Sequence, residues 1–292
     1  AALYTSQFLY PRFRSSVKPT MEIMASLPSV VLGFLGAIYI APIIEKEIPS
    51  FILLAVGLPL IAAITGFFWS RLPIRYRKLI HPGWEWIVFV PLLLVSSWGF
   101  FQLGTVVESI AFVVTDPATG QKTADFGAWW TATTGNSFDQ RNSVVVGFMM
   151  GFAIIPIIFT IADDALSNIP AQLITASMAC GASRWQTAVR VVLPTASPGI
   201  FSAIMIGLGR AVGETMIVVM ATGNTAVMET NPFSGMRTLS ANIAVELPEA
   251  ALGHTHYRAL FLGACCLFLL TFVINTLAEI LRQRLRERYK VV

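Results

Sequence analysis

The chain has 292 residues, of which 55% are hydrophobic and only 12% charged. Soluble domains carry about a quarter charged residues, and the mean hydropathy here is +0.69, so the balance excludes an ordinary soluble domain and points to a polytopic membrane protein. The net charge of +4 is small; what matters is where the basic residues lie, and no nucleic-acid partner is expected.

The opening residues, AALYTSQFLYPRFRSS, read as the end of an apolar helix that leaves the membrane at Arg12 and Arg14. With no initiator Met and no signal-peptide layout, the expectation is a fragment of a longer chain, with 1–292 forming one transmembrane domain. A bilayer core of about 30 Å takes roughly 20 apolar residues as a helix. Six stretches qualify: 23–44, 51–69, 87–107, 144–162, about 200–222, and 259–278. The expected fold is therefore all-α, a polytopic transmembrane helical bundle. Only the fifth span holds charge, at Arg210 and Glu214. Pro28, Pro59, Pro91 and Pro156 lie within spans and should kink them.

Orientation follows from Lys and Arg beside the spans. The basic RLPIRYRK (71–78) and RQRLRERYK (282–290) predict cytoplasmic loops, and Arg12, Arg14 and Lys18 agree. Alternation then places 45–50, 108–143 and 223–257 outside and 163–198 inside, with both ends of the chain cytoplasmic. In the outer loop 108–143, TDPATGQKT reads as a turn-rich hairpin or loop. Trp129 and Trp130 read as headgroup-level anchors, with sugar stacking as the minority reading. His254 and His256, with no further His or Cys nearby, read as loop residues and no metal is expected. Cys180, Cys265 and Cys266 read as small apolar residues. Gly147 with Gly151, and Gly209 with Gly213, form two small-xxx-small pairs that predict close helix approach.

The loop 163–198 is more ordered than a connector needs. Asn168 is a plausible N-cap and Pro170 sits near a first helical position. AQLITASMA (171–179) predicts a short helix, Gly181 a left-handed stop, Ser183 the cap of a second helix over 184–192, and Pro194 its end. The first helix offers Leu173, Ile174, Ser177 and Met178 along one face. By pattern alone that face either fills a partner's groove or rests on lipid headgroups.

Here the residues resemble a family. ABC-importer permeases bear a cytoplasmic loop of the form Glu-Ala-Ala, three residues, Gly, nine residues, Ile, any residue, Leu, Pro. In this chain Thr175, Ala176 and Ser177, then Gly181, then Val191, Leu193 and Pro194 keep that spacing, with Thr, Ser and Val as departures. The resemblance implies the type I importer permease fold, with 163–198 as the coupling loop docked on a partner ATPase. MEIMASLPSVVLGFLGAIYIAPII (21–44) and GLGRAVGETMIVVMATGN (207–224) are similar to segments of phosphate-importer permeases of the C type. The pair of spans within 49–107 departs from that pattern and reads as an insertion.

Arg210 and Glu214 are spaced i, i+4, so a continuous helix would put them on one face, able to pair. Residues alone allow a structural ion pair or a polar patch on an anion route, since a guanidinium fork donates two hydrogen bonds to an oxyanion. The resemblance implies the route, for phosphate, with Thr215 and Asn224 as neutral donors. It implies further partners: a periplasmic phosphate-binding protein, an A-type permease, and an ATPase dimer holding ATP and Mg. This chain has no G-x-x-x-x-G-K-[ST] and no nucleophile–base arrangement, so it is expected to carry no cofactor and not to be an enzyme. The implied location is a bacterial inner membrane. Rival readings are a permease for molybdate, sulfate or tungstate, an ATP-independent transporter or channel, and a sensory or scaffold membrane protein.

Overall fold

The computed structural model describes residues 1–71, 86–115 and 122–288. Most of the basic stretch 71–78, residues 116–121 of the outer-loop reading, and residues 289–292 lie outside the described residues, and part of the orientation reading falls there. Among the described residues six helical segments are long and apolar enough to cross a membrane: Ser29–Lys46, Ile48–Trp69, Ile87–Ala111, Ser143–Ser167, Arg184–Gly213 and Thr255–Glu287. Among the described residues the protein is all-α apart from one pair of short antiparallel strands.

The chain begins with α1 (Ala2–Gln7) and α2 (Pro11–Ala25). The sequence reading starts the first span at residue 23; the structure starts it at Ser29, with α3 (Ser29–Leu35). The reason is local. Pro28 disfavours a helical conformation at Leu27, so α2 closes at Ser26 and a new helix starts beyond the proline. This span continues through a π turn (Gly36–Ile40) into α4 (Ala41–Lys46). The wider turn comes just before Pro42, which has no N–H and would crowd a tighter ring.

The described residues form two compact units. The first comprises 1–34, 146–220 and 237–292. Into it run most of α8 (Ser143–Ser167), then α9 (Ala171–Ala179), α10 (Arg184–Thr187), a π turn (Ala188–Val192), α11 (Leu193–Gly213) and α12 (Met216–Ala221). It is completed by α13 (Leu239–Glu246) and α14 (Thr255–Arg288), which pack on each other, while α11 also packs on α14. Leu166, Ile169, Val192 and Ala196 form a buried cluster, against which Leu173 and Ile174 of α9 pack. Helices α8 and α11 meet most closely at glycines. A Cβ at Gly199 would overlap Ala165, and one at Gly207 would lie 2.6 Å from Ile158 Cδ1. These are not the pairs singled out by spacing: Gly147 and Gly213 have open space around them. A four-residue spacing marks a smooth stripe but does not say which stripe a neighbour meets.

Helices α1 and α2 are pinned to the end of α8. Thr5 donates to buried Asp163 at 3.1 Å, Arg14 lies 3.7 Å from the same carboxylate, and Lys18 Nζ is 2.6 Å from Asp164. Asp164 holds the Lys18 ammonium above its ordinary pKa. Arg14 also donates to Ser167.

The second unit comprises 35–145 and 221–236. Its largest part is a hairpin of α5 (Ile48–Arg71) and α6 (Trp86–Ala111), so the spans within 49–107 pack on each other. Their tightest point is Gly104 against Ser50, where a Cβ would overlap the serine. Ser50 is fully buried, and its hydroxyl lies 2.8 Å from Glu47 Oε2 and 3.2 Å from the Phe101 carbonyl. Beyond α6, β1 (Val113–Thr115) pairs antiparallel with β2 (Lys122–Ala124), and α7 (Phe126–Thr134) follows, capped by Asp125. Trp129 and Trp130 stand half-buried on the helix that follows β2. They join Phe112, buried Phe126, Phe138 and Phe233 in an aromatic cluster, with Phe112–Trp129 and Trp130–Phe233 centroids both 4.8 Å apart. Asp139 and Asn231 stitch that cluster's backbone: the Asp139 N–H donates to the Phe233 carbonyl at 2.8 Å, and Asn231 Nδ2 to the Ser137 carbonyl at 2.6 Å.

Replacing Gly104 with Leu is expected to force α5 and α6 apart. Overpacking of this kind costs about 1–3 kcal/mol, read as a lowered thermal midpoint in detergent. Gly99→Leu, where a side chain meets open space, should leave the midpoint near wild type.

Candidate functional site

The fifth span is interrupted. Helix α11 ends at Gly213, and Glu214 has extended backbone (φ −66°, ψ 128°) before α12 begins at Met216. The i, i+4 relation of Arg210 and Glu214 therefore does not hold, and no ion pair joins them among the described residues. Arg210 stands in the last turn of α11, where the helix dipole favours a cation, and it is exposed. Glu214 turns the other way: its Oε1 accepts from the Ile217 N–H at 3.4 Å and so caps α12. Thr215, half-buried, donates from its hydroxyl to the Gly213 carbonyl at 3.2 Å.

Two neighbours brace the break. The Glu214 carbonyl, released from helical bonding, accepts from Ser240 Oγ at 2.9 Å. Ser240 opens α13, whose N-cap Thr238 accepts from the Ala241 N–H. On another side Gly33 of α3 abuts α12, where a Cβ would lie 3.0 Å from the Met216 carbonyl and 3.1 Å from Ile217 Cα. The two segments that carry the phosphate-permease resemblance thus meet at this point. Asn224 lies after α12, at φ 56°, and its N–H donates to Thr222 Oγ1 at 3.3 Å.

Ser240 and Arg237 were missed by sequence reasoning, which treated 223–257 as a loop. A weak signal was present: Thr238 precedes LSANIAVE, a cap followed by a helix-forming run. Arg237 is half-buried and donates to Asn242 Oδ1 at 3.1 Å and to Glu246 Oε1 at 2.6 Å. His256 Nε2 lies 3.6 Å from Glu246, and among the described residues no group of His, Cys, Asp and Glu is placed to hold a metal.

The second candidate region is 171–194. Helix α9 ends at Cys180, Gly181 takes φ 84°, and Ser183 caps α10 through a reciprocal box with Gln186, at 3.2 Å and 2.8 Å. The N-cap of α9 is Pro170, not Asn168. Thr175 and Ala176 are exposed; the Thr175 hydroxyl bonds back to its own helix. Ser177 shares a 3.0 Å hydrogen bond with Thr187, which holds the two short helices together. The apolar face behaves differently from its sequence reading. Leu173 and Ile174 are turned onto the protein's own core, so the face left outward runs through Gln172, Thr175, Ala176 and Ala179, with Trp185 also 63% exposed. Pro194 does not end the helix. The π turn at Ala188–Val192 takes up the missing N–H, and Leu193 and Pro194 open α11, so one helical rod runs from Arg184 to Gly213.

Residues 1–287 match the family described as "Binding-protein-dependent transport system inner membrane component". Among curated proteins, the chain is 28% identical over 253 residues to the "Phosphate transport system permease protein PstC" of Mesorhizobium japonicum, covering 85% of this chain and 74% of that protein. It is 27% identical over 249 residues to the PstC permease of Pasteurella multocida, covering 85% and 76%. It is 28% identical over 229 residues to PstC 1 of Mycobacterium tuberculosis, covering 78% and 66%. No solved structure matches. Six apolar helices and a match along nearly the whole chain agree: this is a multi-pass membrane protein that belongs to the binding-protein-dependent transport system inner membrane component family.

Proposed function

We propose that the chain is a transmembrane permease subunit of an ATP-driven phosphate importer, with the break at Gly213–Thr215 on the phosphate route. The observation that carries this is the interrupted span beside an arginine that forms no ion pair with a described residue. Non-helical backbone at membrane depth is tolerated where it is packed in protein or lines an aqueous cavity, and broken helices form the binding sites of many transporters. Relatives of the chain named as phosphate permeases supply the substrate; molybdate, sulfate or tungstate have no such support. Arg210 offers a planar fork to the anion, and Thr215 a neutral hydroxyl.

In this reading α9 and α10 face the cytoplasm, both ends of the chain are cytoplasmic, and the outward face of α9 docks on one subunit of an ATPase dimer. The ATPases hold ATP and Mg, and this chain catalyses nothing. An A-type permease completes the pore, and a periplasmic binding protein delivers phosphate to the opposite face. Phosphate recognition should be loose enough for release, which one arginine with a few neutral donors provides.

Arg210→Ala is expected to lower ATP-dependent phosphate uptake in proteoliposomes roughly tenfold or more, since a hydrogen bond to a charged group contributes about 1.5–3 kcal/mol. Uptake at the wild-type rate, with the protein present and folded, removes Arg210 from the route. Gly181→Pro cannot adopt the left-handed turn and is expected to abolish uptake while membrane insertion persists. Ser183→Ala with Gln186→Ala removes only the cap, about 1 kcal/mol, and should give an intermediate loss. Retained association with the ATPase and normal uptake in both variants would overturn the docking role of 171–194.

A further inference from the structure

Two cavities line the seam between α11 and α14. One, of about 850 Å³, is bordered by Ser202, Glu279, Arg282 and Arg286, with Ala165 and Leu173 among its apolar walls. The next, of about 360 Å³, shares Ser202, Glu279 and Arg282 and reaches Met205, Gly209 and Asn275. Together they make one groove along α14 from Arg286 to Asn275. That is eleven helical steps, about 16 Å at 1.5 Å per residue. One leaflet of a bilayer core of about 30 Å spans roughly 15 Å. The chemistry is graded along that length. The arginines stand at the end where α14 passes out of its apolar stretch into RQRLRER, and Phe201, Met205, Ile206, Gly209 and Ala278 line the rest, with Asn275 at the far end. Glu279 Oε1 accepts from Arg282 at 2.8 Å and from Gln283 at 3.1 Å, which holds one guanidinium at the mouth. Arg286 forms no ion pair with a described residue.

We propose that this groove is a binding site for an anionic phospholipid, its phosphate headgroup on Arg282 and Arg286 and an acyl chain lying toward Gly209. Charge complementarity at the mouth and the match of groove length to one leaflet select a lipid over a protein segment. A free phosphate would use the arginines and leave the apolar length empty. The headgroup end of this site uses none of the residues placed on the phosphate route, and its test reads lipid association, so either result leaves the transport reading standing.

The test uses the full chain, together with its partner subunits, in phosphatidylcholine vesicles carrying trace spin-labelled phosphatidylglycerol or phosphatidylcholine. The motionally restricted fraction reports bound lipid. Wild type should prefer phosphatidylglycerol roughly fivefold, the contribution of about one uncompensated arginine at a membrane surface. Arg282→Gln with Arg286→Gln should bring the preference to about unity, and Ser202→Trp, which fills the groove without changing charge, should also remove it. Arg284→Gln, at the same helix end but outside the groove, should leave it intact. Millimolar inorganic phosphate should not displace the lipid. An equal drop in the Arg284 variant, displacement by inorganic phosphate, or unchanged preference in the Ser202 variant would each overturn the site. Absence of any preference in wild type, as when another subunit fills the seam, would do so as well.

Discussion

A backbone that leaves the helix inside a bilayer must find a partner for every N–H and C=O it releases, because each one left bare in hydrocarbon costs several kcal/mol. That constraint explains the arrangement around Glu214. Its carbonyl is taken by Ser240, its side chain takes the Ile217 N–H, and Gly33 lets α3 lie directly against the backbone of α12. Helix α13, in a segment that reads as a loop, places Ser240 there as the donor. Once these three contacts are made, the non-helical residues are held, and Arg210 at the end of α11 is free of any ion pair with a described residue.

The same rod that ends at the break begins beside α9, the helix proposed to dock on the ATPase. From Arg184 to Gly213 the backbone is helical, about 45 Å at 1.5 Å per residue. The π turn at Ala188–Val192 lets it pass Pro194 without a kinked end. Buried Val192 and Ala196 key the rod into Leu166 and Ile169, and Ser177 with Thr187 ties α9 to it. A push on the exposed face of α9 therefore meets a packed element, one end of which is the interrupted span. This is a spatial connection; coupling energy between its ends is a separate quantity.

Much of this was legible in residues, for reasons of range. The six spans follow from apolar length, which no tertiary contact overrides. Gly181 and Ser183 sit in a local turn whose signals lie within four residues, so the turn and its cap could be read directly, while the return bond from Gln186 comes from the structure. The break at Glu214 could not. Arg210 and Glu214 look like an intact i, i+4 pair, and the partners that stabilise an extended Glu214, Ser240 and Gly33, are distant in sequence. Gly199 and Gly207 carry the close approach for the same reason, as Ala165 and Ile158 opposite them decide it. Trp129 and Trp130 suit a headgroup belt by type, yet Phe126 and Phe233 draw them into an aromatic cluster. Leu173 and Ile174 suit a partner's groove by pattern, yet they pack, half-buried, against the chain's own cluster of Leu166 and Val192.

The claim on which the functional reading rests is that the break lines an aqueous phosphate route. It is tested most directly by placing a cysteine at Thr215 in a chain where Cys180, Cys265 and Cys266 are replaced by Ser or Ala. The assembled transporter is then treated with a membrane-impermeant thiol reagent during ATP turnover. The expected result is modification of residue 215 that slows as phosphate is added and does not slow with chloride at the same ionic strength. A residue 215 that never reacts, or reacts at one rate whatever the phosphate concentration, contradicts it.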